Sequence, residues 1–237
     1  MTHDLIVVCP SHRRPKEASE VFDTFLATRT ADSLLRFGVW TADPSTGGYV
    51  HLPVTYSTAE TMTARSNILA RWAVEQARYV GWIADDNRFR TKGWDRVVID
   101  ALEAMGGGVV YGNDVVSPGS KPSHVFMSSE IVRELGWLIH PEMTMTFFDD
   151  AWERLGRAMG RLRYLPEVTV EHLYTERDNL AAFVHDKAVY EPWLRHECED
   201  QAARCLRAVR RAVRSRPSSS TSTAERTFRD LVPETGL

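Results

Sequence analysis

Short unbroken apolar runs alternate along this chain with stretches in which apolar residues recur every three or four positions. The first run, Leu5-Ile6-Val7-Val8-Cys9, is closed by Pro10-Ser11. A strand covered on both faces has this continuous character, whereas a half-exposed strand would alternate. Residues 34–40, 79–84 and 109–111 repeat it, and shorter strands are predicted at 124–127, 162–165 and 168–170. Between them, Val21, Phe22, Phe25 and Leu26 fall at helical spacing after Pro15, which suits a first helical turn because its missing N–H is not needed there. Residues 63–78 predict a helix with Ile68, Leu69, Trp72 and Ala73 as its apolar stripe and Arg65, Asn67 and Arg71 pointing elsewhere. Further helices are predicted at 94–105, 129–136 and 150–160, and Asp43-Pro44-Ser45-Thr46-Gly47-Gly48 is a strong turn cluster. Strands alternating with helices imply a three-layer α/β/α sandwich on a mostly parallel mixed sheet.

The end of the chain has a different pattern. Leu194, Cys198, Ala202, Cys205, Val209 and Val213 form one stripe, so 179–214 is expected to be largely helical, with Arg204, Arg207, Arg210, Arg211 and Arg214 lying off much of it. Residues 217–223 are Ser/Thr-rich and of low complexity. The expected organisation is therefore a compact domain over 1–190, an amphipathic basic helix over 191–216, docked or projecting and able to pair two copies, and a disordered tail over 217–237.

Composition narrows the classes. The 237 residues are 43% hydrophobic and 26% charged, ordinary globular usage. A net charge of -3 gives no general attraction to nucleic acid, and no apolar run approaches the ~20 residues that cross a bilayer. A strand beginning by Leu5 leaves no room for a secretory leader. Cys198 and Cys205 lie seven residues apart, about 10 Å on a helix, too far to bridge, and Cys9 has no evident mate. A reducing, cytoplasmic setting is expected.

Chemistry concentrates in a few places. Asp85-Asp86-Asn87 follows a predicted strand, and ligands of open α/β sheets collect beyond the carboxyl ends of strands. Adjacent carboxylates repel unless a cation or hydrogen-bond donors neutralise them, and oxygen donors suit Mg²⁺ or Mn²⁺. A solvated turn or helix cap is the plain alternative. His172, after the strand at 168–170, could supply an imidazole ligand to the same site. Phe147-Phe148-Asp149-Asp150 runs two aromatics into two carboxylates at a predicted helix start, where a carboxylate either caps the helix or serves as general base. Ser11-His12-Arg13-Arg14, with Arg65 and Asn67, brings donors for phosphate to the same sheet edge.

In order and spacing, Ile6 to Ser11, Ala64-Arg65-Ser66-Asn67, Val80 to Asn87, Phe148-Asp149-Asp150 and Glu171-His172 resemble the family 2 glycosyltransferases and their GT-A-fold relatives over about residues 4–175. The stretches 81–94 and 147–174 are similar to small stand-alone glycosyltransferase-like proteins of bacteriophages, which would place the chain in a host cytoplasm. The resemblance implies a hexosyltransferase-like enzyme that moves a sugar, with inversion, from a nucleotide-diphosphate donor to a protein, glycan or lipid-linked acceptor. It implies Mn²⁺ or Mg²⁺ held by Asp85, Asp86, Asn87 and His172, with Asn87 a neutral departure from the family's D-x-D. Pro10, Ser11, Arg13, Asp43, Arg65, Asn67 and Asp85 would contact the nucleotide. Asp149 or Asp150 would be the base, Asp149 being preferred. A non-catalytic sugar-nucleotide- or carbohydrate-binding relative with a degraded metal site is the alternative.

Overall fold

The computed structural model describes residues 3–173 and 180–215. In chain order the elements are β1 (His3–Ser11), α1 (Pro15–Thr28), β2 (Ser33–Trp40), β3 (Val54–Ser57), α2 (Met62–Gln76), β4 (Ala77–Trp82), β5 (Asn87–Phe89), α3 (Trp94–Ala104), β6 (Val109–Asn113), β7 (Val125–Ser128), α4 (Ser129–Leu135), α5 (Phe148–Ala158), β8 (Leu162–His172), α6 (Leu180–His196) and α7 (Cys198–Ser215). The predicted strands and helices are present within a few residues. Two short strands, β3 and β5, were not foreseen.

One eight-stranded sheet runs β3-β2-β1-β4-β7-β6-β8-β5. β3, β2, β1 and β4 are parallel, β7 is antiparallel to both neighbours, β6 and β8 are parallel, and β5 closes the edge antiparallel to β8. Alternation along β1 divides the core. Leu5, Val7 and Cys9 pack with Phe25 of α1 and Trp94 of α3, while Ile6 and Val8 face Leu69 and Ala73 of α2. Helices therefore cover both faces, and the continuous apolar run of β1 is explained by burial on both sides.

β8 is a single strand where the sequence suggested two. Pro166 and Glu167 interrupt its apolar pattern because they lie exposed in a bulge, where the register against β6 jumps from Gly112–Leu165 to Asn113–Thr169. Gly112 is required at this bulge, since a Cβ there would collide with the Val168 carbonyl. Beyond the bulge β8 crosses to β5, and Asn87 comes opposite His172.

The largely helical stretch expected over 179–214 is two helices on either side of Glu197, and residue 190 lies inside α6. Tyr190 and Trp193 of α6 and Cys198, Ala202, Cys205 and Val209 of α7 are buried in the same core as α2, α4 and α5. α7 is thus docked by its apolar stripe. Arg204 and Arg211 reach Glu134 of α4, at 2.9 and 3.9 Å, so part of the basic face is spent within the chain. The expected tail at 217–237 lies outside the described residues.

Because Trp193 is 1% exposed and shares its core with β1, truncating it acts on the whole domain. Trp193→Ala is expected to lower stability by about 3–5 kcal/mol in urea denaturation, with one cooperative transition. A loss under about 1 kcal/mol would show that α6 and α7 do not belong to the folding unit.

Candidate active site

The site begins where β1 ends. Ser11 Oγ donates to Asp85 Oδ2 at 2.8 Å, and Arg14 Nη1 lies 2.7 Å from Asp85 Oδ1 and 3.3 Å from Asp86 Oδ2. The Tyr49 hydroxyl accepts the Arg14 backbone N–H at 2.9 Å and sits 3.0 Å from Ser11 Oγ. One guanidinium is therefore placed between two adjacent, largely buried carboxylates, whose repulsion it offsets. Cys9 lies beneath them, its thiol held neutral by burial and by the negative charge of Asp85 and Asp86.

His172 arrives from the far side of the sheet through the β8 crossing. Its Nε2 is 3.3 Å from Asp86 Oδ1, and its backbone N–H donates to the Asp114 carbonyl at 3.0 Å. Burial pushes the Asp86 carboxyl up, but His172 and Arg14 outweigh it and leave the group below its ordinary range. Asp86 in turn pulls His172 up against its own burial.

Asp86 and His172 are the two donors suited to a divalent cation. Among the described residues no third His, Cys, Asp or Glu joins them in a cluster. Such a pair fits a Mg²⁺ or Mn²⁺ ion whose remaining ligands are phosphate oxygens and water, the usual arrangement where the ion travels with a nucleotide. The other two residues of the expected ligand set have partners within the chain. Asp85 gives its oxygens to Ser11 and Arg14. Asn87 is 0% exposed in β5, and its Oδ1 accepts the Ala84 N–H at 2.8 Å, closing the turn.

The nucleotide-contact residues separate in the same way. Ser11 is at the site, and Pro10 is buried in β1 opposite Gly38 of β2. Arg13 has an exposed side chain and a left-handed backbone (φ 56°), and it contributes its N–H, which donates to Asp43 Oδ2 at 2.6 Å. Arg14, passed over in favour of Arg13, is the arginine that reaches the acidic pair. Asp43 accepts further bonds on Oδ1 from the Ser45 N–H at 2.8 Å and hydroxyl at 2.6 Å, and its Oδ2 lies 3.2 Å from His12 Nδ1. Three hydrogen bonds thus commit Asp43 to organising the loop. Arg65 and Asn67 are buried, not outward. Arg65 donates to the Ala59 and Glu60 carbonyls and lies within electrostatic reach of Asp43, Tyr49 and Asp85, while Asn67 bonds Leu138 and Ile139 in the loop after α4.

Asp149 and Asp150 lie in the first turn of α5 and share with His172 an open pocket of about 380 Å³. Lys121 holds Asp150 at 2.8 Å. Burial, then the charge of Asp150, raises the Asp149 pKa above its ordinary value. The loop before α5 is fixed by a residue that no sequence pattern singles out. Asp186 of α6, 0% exposed, accepts the N–H groups of Thr144, Met145 and Thr146 and the hydroxyls of Thr144 and Thr146, all at 2.7–3.1 Å.

The sheet order and helical layers define the chain as a GT-A fold, the architecture of nucleotide-sugar glycosyltransferases. No family model matches the chain, and no curated protein does. Solved structures do. The mannosyltransferase PcManGT from Pyrobaculum calidifontis, in complex with GDP-Man and Mn²⁺, matches at TM-score 0.61 and 12% identity, over 92% of this chain and 77% of that one. Residues 1–349 of S. aureus TarS match at TM-score 0.60 and 10% identity, over 96% and 76%. Glucosyl-3-phosphoglycerate synthase from Mycobacterium tuberculosis, in complex with phosphoglyceric acid, matches at TM-score 0.58 and 10% identity, over 79% and 78%. At these identities the likeness is one of fold.

The Asp186 clamp carries a pH signature. Against the opposing effect of burial, His185 at 2.9 Å and then the N–H groups of Thr146, Met145 and Thr144 hold the carboxyl down to about 2, so the unfolded chain binds this proton more readily than the folded one. The resulting stability, about 2 kcal/mol, is present above the ordinary carboxylate pKa of ~4 and is lost as pH falls from there through about 2. Wild-type stability should fall more steeply across that window than that of Asp186→Asn, measured by urea denaturation at each pH. Parallel curves would remove the clamp.

Proposed function

We propose that the chain is a glycosyltransferase that uses a nucleotide-diphosphate sugar and inverts the anomeric centre. The observation that carries this reading is that His172 contacts the Asp86–Arg14 cluster and also lines the pocket of Asp149 and Asp150. A site for a leaving diphosphate and a site for a base thus meet at one residue.

In this reading Arg14 is the principal protein donor to the diphosphate, and Ser11 and Tyr49 keep it aimed. Asp86 and His172 hold Mn²⁺ or Mg²⁺, which when bound stabilises negative charge on the diphosphate. Asp149 takes the proton of an acceptor hydroxyl as its oxygen bonds to the anomeric carbon. The bond from that carbon to the phosphate oxygen breaks on the opposite face, and the electron pair leaves with the nucleotide diphosphate. Lys121 engages Asp150 at 2.8 Å, so the two carboxylates have separate tasks despite their adjacency. The GT-A fold and its neighbours with GDP-Man support the choice of donor class. A host-cell cytoplasm is the setting in keeping with the phage-like segments.

A sugar-nucleotide-binding protein without turnover is the competing reading, favoured by the commitment of Asn87 to the backbone. A panel of UDP- and GDP-sugars with Mn²⁺ distinguishes them, since binding without any hydrolysis or transfer supports the binding protein.

For the enzyme, Asp149→Asn should reduce turnover about 10²–10⁴-fold and Asp150→Asn less. Full transfer by both variants would exclude the base assignment. Asp86→Asn and His172→Ala should each abolish the stimulation of donor hydrolysis by Mn²⁺, read as the ratio of rates with the ion and with chelator.

A further inference from the structure

One wall of the pocket that holds Asp149 and Asp150 is aromatic. The ring of Phe147 stacks on Tyr190 with centroids 5.0 Å apart and planes 18° from parallel, and lies 5.2 Å from the ring of Phe183. Tyr190 is 7% exposed and Phe183 is 46% exposed, so this row of rings runs from the core to the pocket rim and ends with much of its last ring open.

The row is maintained against a local preference. Phe147 occupies the N-cap of α5 at φ 62°, without a side-chain cap bond. Helix entries favour Ser, Thr, Asp or Asn, whose oxygens satisfy the free N–H groups, and a bulky residue rarely takes positive φ. Such outliers persist where the surroundings over-determine them, often at ligand sites. Here the stack on Tyr190 and the Asp186 clamp on Thr144 to Thr146 hold Phe147 in place.

The polar groups beside the rings narrow the occupant. Asp149, Asp150 and Lys121 are charged, and Ser123 and Thr146 add hydroxyls. A lipid chain would strand these groups without partners, whereas a sugar ring offers C–H groups to an aromatic face and hydroxyls to carboxylates and ammonium. The volume, about 380 Å³, is at the small end of the ~300–1,000 Å³ of small-molecule pockets.

We propose that the Phe147–Phe183 wall is an acceptor subsite and that the acceptor is a saccharide, its ring against Phe183 and a hydroxyl directed at Asp149. This rests on the glycosyltransferase reading for the direction of transfer, and its binding claim is separable from it.

The test titrates the full chain, by saturation-transfer NMR and calorimetry, with di- and trisaccharides ending in glucose, galactose, mannose or N-acetylglucosamine. A Ser/Thr peptide and phosphatidylglycerol vesicles are the comparison probes, and UDP and GDP are titrated in parallel. At least one saccharide should saturate the protein at millimolar concentration, with Phe183→Ala and Phe183→Leu each weakening it about three- to tenfold and Phe183→Trp retaining it. Melting curves check that the variants fold, and Phe183→Leu serves if the alanine variant does not. Binding of the peptide or vesicles alone, no binding by any probe, or saccharide binding indifferent to Phe183 each overturns the subsite. Nucleotide without saccharide binding overturns the subsite and spares the transferase, whereas saccharide without nucleotide binding spares the subsite and removes the transferase.

Discussion

Two neighbouring carboxylates, largely out of water, can remain ionised only if positive charge is held against them. Arg14 between Asp85 and Asp86 meets that condition, and much of the architecture serves to bring it there. β1 must end at Ser11 for the following turn to reach the acidic segment, and Tyr49 must be buried behind it to fix both Ser11 and the Arg14 backbone. Asp43 and Ser45 then hold the loop that carries Arg13. The charge cluster is thus assembled from three separate connections, each anchored on a strand of the parallel half of the sheet.

The other half of the site depends on a departure from regular pairing. A straight β8 would continue alongside β6. The bulge at residues 166–168 instead directs its end to β5, where His172 meets Asp86. α6 contributes on the opposite side, where a single buried carboxylate, Asp186, gathers the donors of three consecutive residues before α5. Satisfying these backbone groups inside the protein gives the loop a rigidity that exposed turns lack. Asp149 and Asp150 inherit their positions from it.

Periodicity made the main strands, the helices and the two-sided burial of the sheet legible, because each is a local pattern of apolar side chains. The nearness of His172 to Asp85-Asp86 was legible from polar groups at strand ends, whereas Asp149-Asp150, at a helix start, joined them only through the resemblance. What could not be read was direction. Arg13 and Arg14 are equivalent in sequence, and only the positive φ of Arg13 turns one outward and the other onto the carboxylates. Arg65 and Asn67 lie off the apolar stripe of α2 yet are buried, because backbone groups of neighbouring loops satisfy their side chains. Asp186 carries little local signal: apart from the adjacent His185, its partners are some forty residues away, and its own helix has a weak apolar pattern interrupted by Pro192. β3 and β5, four and three residues long, are too short for periodicity to register.

The neutral residue at the third position of the acidic segment has an electrostatic reason. Asn87 is fully buried, and its side chain accepts the Ala84 N–H while its own N–H donates to the Ala84 carbonyl at 3.2 Å. An aspartate in its place could accept the same hydrogen bond, but would add a third carboxylate to a cluster whose compensation comes from Arg14 on one side and His172 on the other. Burying that additional charge would cost several kcal/mol unless it were protonated or matched by a further cation. An amide keeps the turn closed without that cost. The amide therefore follows from using this residue as the first position of β5, opposite His172 of β8.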